Sequence, residues 1–292
     1  MNILVTGANG QLGSSIRDIA SQHHNFIFTD VDSLDITQYH DIVDVITRCN
    51  IDVIINCAAY TNVDRAEQEP EIAQLINATA VDNLARAAAN NNATLIHIST
   101  DYVFGGNCNN IPCTEQQTTA PLGVYGLTKL AGEQAVIDSG CRHIIIRTAW
   151  LYSPYGRNFL LTMLDLTARR QSLNVVFDQV GTPTYAAHLA QAIMHIIDTN
   201  QVHKQGIYHF SNQGVCSWYD FAHAIARLAG HDNCIISPCH SNEFPSPVKR
   251  PSFSVLDKTL FTTTFGFDIP HWHDALIQCF NSISDSKRIT ME

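Results

Sequence analysis

The first thirteen residues constrain this chain more than any other stretch. A short apolar run, Ile3-Leu4-Val5, breaks at Thr6-Gly7 and continues Ala8-Asn9-Gly10-Gln11-Leu12-Gly13. An apolar run bounded by glycine reads as a strand buried on both faces. From Gly10 to about Gln22 the spacing becomes helical, with Leu12, Ile16 and Ile19 on one side. Strand, glycine turn and helix, in that order, is the setting in which such glycines hold phosphate. Gly7 permits the tight turn, Gly10 lets the backbone approach a pyrophosphate, and Gly13 lets helix lie on strand. The helix start, at Gln11 and Leu12, then offers N–H donors and a positive dipole to the anion.

The alternation continues. Phe26-Ile27-Phe28 reads as a second strand with Asp30 at its end. A carboxylate there accepts hydrogen bonds from both ribose hydroxyls of an adenosine and repels a 2′-phosphate, which favours NADH over NADPH. Asp35-Ile36 follows, and Asp35 also suits a cap for a helix beginning near Gln38. Residues 52–59 give a buried strand ending in small side chains, and Glu71 to Asn91 a long helix carrying Asn77. A strand over 93–99 runs into Ser99-Thr100-Asp101-Tyr102-Val103-Phe104, and another spans His143 to Arg147. Strand–helix alternation of this kind predicts an α/β fold, a Rossmann-type doubly wound parallel sheet over residues 1–150. After Tyr152 the alternation stops. Helices near 158–170, 186–199, 217–229 and after Pro270 suggest a smaller C-terminal α/β substrate lobe over 151–292, some of it returning to the sheet. The cleft between the two is the expected site.

Tyr125 and Lys129 stand four apart on a predicted helix, so they share one face. An ammonium beside a phenol favours the phenolate and eases proton transfer. The surroundings of that pair are acidic: 27 carboxylates against 17 Lys and Arg leave a formal charge of −10. Neither nucleic acid nor an anionic membrane attracts such a chain. No segment reaches the roughly 18 apolar residues of a membrane span. Met1-Asn2 enters the first strand without a basic leader, and the expected location is the cytoplasm. Nine cysteines, an odd number, lack Cys-x-x-Cys spacing. Cys108/Cys113 and Cys234/Cys239 with His240 offer no matched second ligand pair, so they read as reduced thiols and not as zinc ligands.

Thr-Gly-x-x-Gly-x-x-Gly resembles the short-chain dehydrogenase/reductase superfamily. Five further motifs occur in order: Ser-Thr-Asp-Tyr-Val-Phe, Tyr-Gly-x-Thr-Lys-Leu-x-Gly-Glu, Arg-Thr-x-Trp-x-Tyr, Asp-Gln-x-Gly-x-Pro-Thr and Arg-Pro-x-x-Ser-x-Leu-Asp. Together, over essentially the whole chain, they resemble the dTDP-4-dehydrorhamnose reductase family. The resemblance implies hydride transfer from NADH or NADPH to C4 of a 4-keto-6-deoxyhexose carried on dTDP. It makes Tyr125 the proton donor, has Thr100 hydrogen-bond the same oxygen, and has Lys129 hold the nicotinamide ribose and lower the tyrosine pKa. Asp35-Ile36 would cradle adenine, Ala58, Ala59 and Tyr60 would wall the cofactor, and Asn77 would anchor a relay water. Asp101, Tyr102 and Trp150 would contact the sugar nucleotide, although an indole also suits an interface core. Arg250, in a Pro-flanked loop, fits a diphosphate or a solvated charge pair.

Two departures matter. Some family members dimerise through Mg²⁺ held by carboxylates, but here those places carry Ser15 and the acid-free run Tyr185 to Gln191. Mg²⁺ needs hard oxygen ligands, so the expectation is a monomer or weak homodimer without a metal bridge. Dehydratases on this scaffold need Asp-Glu after the threonine; this chain has Asp101-Tyr102. An epimerase or other reductase of nucleotide sugars remains an alternative. So does a non-catalytic nucleotide-binding subunit, such as the regulatory subunit of methionine adenosyltransferase, although intact Thr100, Tyr125 and Lys129 weigh against it.

Overall fold

The computed structural model describes residues 1–107, 110–244 and 246–289, with side chains to 283, so Cys108 lies outside the described residues. Strands β1 (Asn2–Thr6), β2 (Asn25–Phe28), β3 (Val53–Asn56), β4 (Thr94–Thr100) and β5 (Arg142–Thr148) join Gly206–His209 in one sheet. All pairings in it are parallel. Across the sheet the order is β2, β1, β3, β4, β5 and Gly206–His209. This is the doubly wound Rossmann-type architecture that the glycine turn and alternation predict.

Helices cover both faces, which is why the strands are apolar at consecutive positions. Successive residues enter opposite cores. Ile3, Val5, Ile55 and Ile146 meet one core, shared with Leu12 and Ile16 of helix Gln11–Ile19 and Ile193 of helix Ala186–Asp198. Leu4, Ile54, Leu95 and Ile145 meet the other, shared with Ile42 and Ile46 of helix Tyr39–Cys49 and Leu84 of helix Ala80–Asn90. Each such side chain contributes about 1.5–3 kcal/mol by leaving water, so the strand ends that carry chemistry are held rigidly.

The edge strand Gly206–His209 is a feature the periodicity does not reveal. It is four residues long and follows the polar Lys204-Gln205, too short for a pattern to register. A further core gathers Tyr152, Leu160, Phe221, Ile225 and Leu276 around the parallel pair Ser172–Val176 and Ile235–Cys239. Among the described residues no helix is long and apolar enough to cross a membrane.

Two details position the site. β2 lies on one side of β1 and β3 on the other, so the loops after β1 and β3 part above the sheet, the place where such sheets bind ligands. The long helix after β3 is also not uniform: Pro70–Gln74 and Ala80–Asn90 flank one wide turn, Leu75–Thr79, with π-type hydrogen bonding. Such bulges frequently mark functional sites. Here the Asn77 carbonyl sits where a Cβ on Gly132 would be, so the bulge and the Val124–Asp138 helix lie backbone to backbone.

Candidate active site

Gly7 has φ +63°, and a Cβ there would stand 2.6 Å from the Ala58 nitrogen. A Cβ on Gly13 would stand 2.5 Å from Ala8 Cα and from the Gly7 carbonyl. Gly10 differs: the one neighbour of its Cβ direction is the Gly7 carbonyl at 3.2 Å, and beyond it is open space. Gly7 and Gly13 therefore serve the fold, whereas Gly10 has open space beside it. Helix Gln11–Ile19 begins at Gly10 with no capping side chain and no acid in its first turn, so its leading N–H groups face that space. Leu12 is buried in the core and offers only backbone to a ligand. The Gln11 side chain turns to residues 153–158, where its Oε1 accepts from Ser153 and Asn158, each at 3.0 Å.

Asp30 closes the loop from the β2 side. Its Oδ2 accepts from Asn9 N at 2.9 Å and its Oδ1 from Val31 N at 2.9 Å. Arg17 lies over the Phe28 ring and reaches Asn9 Oδ1 at 3.4 Å. Asp35 accepts from Thr37 N at 2.9 Å, and this bond holds its carboxyl below the usual range. Helix Tyr39–Cys49 has no side-chain cap, so Asp35 shapes the turn before it instead. The Ile36 side chain belongs to the core.

Beyond β3, Asn56 ties the layers together. Its Oδ1 accepts from Thr6 Oγ1 at 2.7 Å and from Ala58 N at 3.1 Å, and its Nδ2 lies 3.1 Å from His97 Nδ1. Ala59 and Tyr60 follow, with the Tyr60 hydroxyl donating to Glu69 at 2.6 Å. The Asn77 side chain is held by protein partners. Its amide accepts from Tyr60 N at 2.8 Å and donates to Tyr60 O at 3.0 Å and Thr128 Oγ1 at 3.2 Å. Both ends of that side chain are engaged in clamping the wall residues to the helix behind them.

The end of β4 meets the Val124–Asp138 helix. Thr100 Oγ1 accepts from Tyr102 N at 3.2 Å and donates to Asp101 Oδ1 at 3.1 Å, and its hydroxyl lies beside the Tyr125 phenol. The Tyr125 ring stands edge-on to Tyr102, with centroids 5.3 Å apart. Lys129, one turn on, is buried and donates to the Ile98 carbonyl at 2.6 Å. The expectation of a lowered tyrosine pKa is corrected here. The phenol is pushed up to about 12, first by burial, with the Asp101 carboxylate adding and the Thr100 hydroxyl opposing. The ammonium that was to lower it faces a backbone carbonyl instead. A phenol that stays protonated is what a reducing enzyme needs, since it must give a proton and not take one.

Asp101 is 2% exposed, its Oδ2 has no partner, and burial raises its pKa to about 6. A folded value above the unfolded one favours folding below about pH 4, and that advantage is lost as pH rises through 6. Asp101→Asn should therefore raise the unfolding temperature at about pH 8, by up to about 3 kcal/mol of stability, and do little at about pH 4. Calorimetry at the two pH values reads this; equal gains at both would refute it.

The substrate candidates are less uniform. Trp150 has φ +49° and stacks on Trp218 at 3.5 Å and 9°, while its edge fills the space a Gly181 Cβ would take. Arg250 Nη2 pairs with Asp64 at 3.2 Å and its Nε has no partner. The sequence reading missed Asp64, Trp218, and Ser254, which hydrogen-bonds Asp101. It also missed Glu133 and Arg147, although the four-residue step from Lys129 to Glu133 was a signal in plain view. Ser15 is buried and donates to the Gln11 carbonyl at 2.9 Å.

Comparison with known proteins gives one consistent picture. Residues 1–284 match the family model described as RmlD substrate binding domain. A dTDP-4-dehydrorhamnose reductase of Salmonella typhimurium is 40% identical over 283 residues, covering 93% of this chain and 94% of that protein. A crystal structure of a dTDP-4-dehydrorhamnose reductase from Clostridium acetobutylicum superposes with a TM-score of 0.92 at 41% identity, over 97% of this chain and 100% of that one. The Bacillus anthracis reductase, crystallised in complex with NADP, gives a TM-score of 0.90 at 36% identity over 96% and 99%.

Proposed function

The chain belongs to the dTDP-4-dehydrorhamnose reductase family, and from that premise we propose that it reduces the C4 ketone of dTDP-4-dehydro-L-rhamnose to the alcohol of dTDP-L-rhamnose. The observation that supports this most is the convergence of Thr100, Tyr125 and Lys129 at the end of β4, beside the phosphate-binding loop. The loop fits a nicotinamide dinucleotide because Gly10 leaves room for the diphosphate and the helix start is uncapped. When bound, that cofactor supplies a hydride.

The protein's part is positional and electrostatic. Negative charge grows on the ketone oxygen during reduction, and donors already in place meet it. Tyr125, protonated at neutral pH, gives its proton to that oxygen, and Thr100 hydrogen-bonds the same atom. Lys129, whose ammonium rests on the Ile98 carbonyl, turns to the nicotinamide ribose and from there offsets the charge left on Tyr125. The sugar nucleotide lies with Asp101, Tyr102 and Trp150 about the hexose and Arg250 toward the diphosphate, displacing Asp64. Consumption of reduced dinucleotide with dTDP-4-dehydro-L-rhamnose tests the reading; no turnover by purified wild type would end it.

Either NADH or NADPH serves, and Asp30 favours NADH, with Arg17 nearby to receive a 2′-phosphate. Asp30→Ala should shift the ratio of kcat/KM toward NADPH about tenfold, on the order of 1.4 kcal/mol. An unchanged ratio would show that Asp30 does not read the ribose. The eight described cysteines are free, as suits the cytoplasm. The acidic charge leaves no basis for nucleic-acid binding. A monomer or weak homodimer without a metal bridge follows from the acid-free positions at Ser15 and Tyr185 to Gln191.

A further inference from the structure

One buried ion pair has no part in the reaction as described. Glu133, on the Tyr125–Lys129 face of the helix, accepts from Arg147 Nε at 2.9 Å and from Arg147 Nη2 at 2.6 Å. The two side chains are 2% and 3% exposed. Ser99 Oγ donates to the same carboxylate. The Arg147 guanidinium also lies over the Phe104 ring at 5.0 Å. Consecutive β4 residues thus hold successive turns of the helix: the Ile98 carbonyl takes Lys129 and Ser99 takes Glu133, while Thr100 lies beside Tyr125.

We propose that Glu133, locked by Arg147 and Ser99, is a positioning residue for the reduction: it keeps the Lys129 ammonium charged and in register with Tyr125. This rests on the reductase reading above. Stability alone does not explain the pair, since a buried ion pair is commonly no better than apolar residues of equal volume.

The charges around Lys129 define what Glu133 does. From its own helix Lys129 is faced by Glu133, one turn on, with Tyr125 one turn before it. From β4 it is faced by His97, which burial and Lys129 together keep neutral. Arg147 of β5 stands behind Glu133. Burial pulls Lys129 down to about 8, and Glu133 is the group that opposes the fall. Without that carboxylate, Lys129 would lose its proton at lower pH, and with it the charge that grips a ribose and offsets a phenolate.

The test is the pH dependence of NADPH affinity, read by quenching of dinucleotide fluorescence, beside that of kcat. Wild type should weaken as pH rises through the Lys129 range. In Glu133→Gln, which keeps the size and an acceptor for Arg147, that alkaline limb should move about one pH unit to acid. A limb that coincides with wild type, with activity merely scaled down, overturns the proposal. Glu133→Gln leaves a lone buried guanidinium, so Glu133→Gln/Arg147→Met removes that charge as well. The double variant should keep an acid-shifted limb. Return of the limb to the wild-type position would assign the effect to Arg147 and overturn the proposal too. The affinity measurement needs no sugar, so wild type that binds NADPH yet turns over no dTDP-sugar would refute the function and leave the role of Glu133 to be read.

Discussion

Tyr125→Phe should lower kcat about a thousandfold while changing dinucleotide affinity only a few-fold. The estimate follows from the range of about 10²–10⁴ that a placed proton donor contributes. The ring itself keeps its edge contact with Tyr102, so the fold has no reason to respond. What disappears is one hydroxyl, the proton source of the proposed reduction. Because that hydroxyl holds its proton to about pH 12, wild-type activity should show no alkaline loss from Tyr125 itself in the neutral range. Steady-state turnover beside a fluorescence titration separates the two effects. A Tyr125→Phe enzyme with kcat within tenfold of wild type would mean that water or another group supplies the proton.

The second large effect lies in the glycine loop, where two neighbouring substitutions should behave differently. Gly7→Ala forces an L side chain into φ +63° and drives its methyl to 2.6 Å from Ala58 N. The left-handed conformation alone costs about 1–2 kcal/mol. The overlap is with backbone, which cannot swing aside, and it pushes apart the loops after β1 and β3. Both stability and dinucleotide binding should fall, with the unfolding temperature down by several degrees and affinity by a hundredfold or more, on the order of 3 kcal/mol. Gly10→Ala meets only a carbonyl at 3.2 Å. Its unfolding temperature should stay near wild type, while affinity falls because the methyl occupies the path of the diphosphate. Equal damage to stability in both variants would show that Gly10 is a fold residue and not a binding one.

Much of the fold was legible because a parallel sheet writes itself as apolar runs punctuated by glycine. β1 to β5 and the helices between them follow from that pattern. The site was legible where chemistry sits on local spacing, as with Tyr125 and Lys129 four apart. It was not legible where chemistry depends on direction. Spacing placed the lysine beside the tyrosine, but only the fold reveals that its ammonium turns to Ile98 and that burial lifts the phenol. Asn77 shows the same limit: its spacing does not tell that the bulge at Leu75–Thr79 delivers its side chain to Tyr60. Contacts between distant segments, such as Trp150 with Trp218 and Arg250 with Asp64, leave no periodic trace at all.

The return of the chain to its first sheet has a consequence for how the molecule is made. Ile193 and Phe261 pack in the same core as Ile3 and Ile146, and Gly206–His209 completes the edge beside β5. A nascent chain with only its first 150 residues therefore carries Gly7, Gly10, Gly13 and Tyr125, yet leaves that core open on one face. Domains are generally completed as units during synthesis, and exposed apolar surface invites misassociation in the meantime. The sheet that carries the glycine turn is closed only by segments that follow it in the chain.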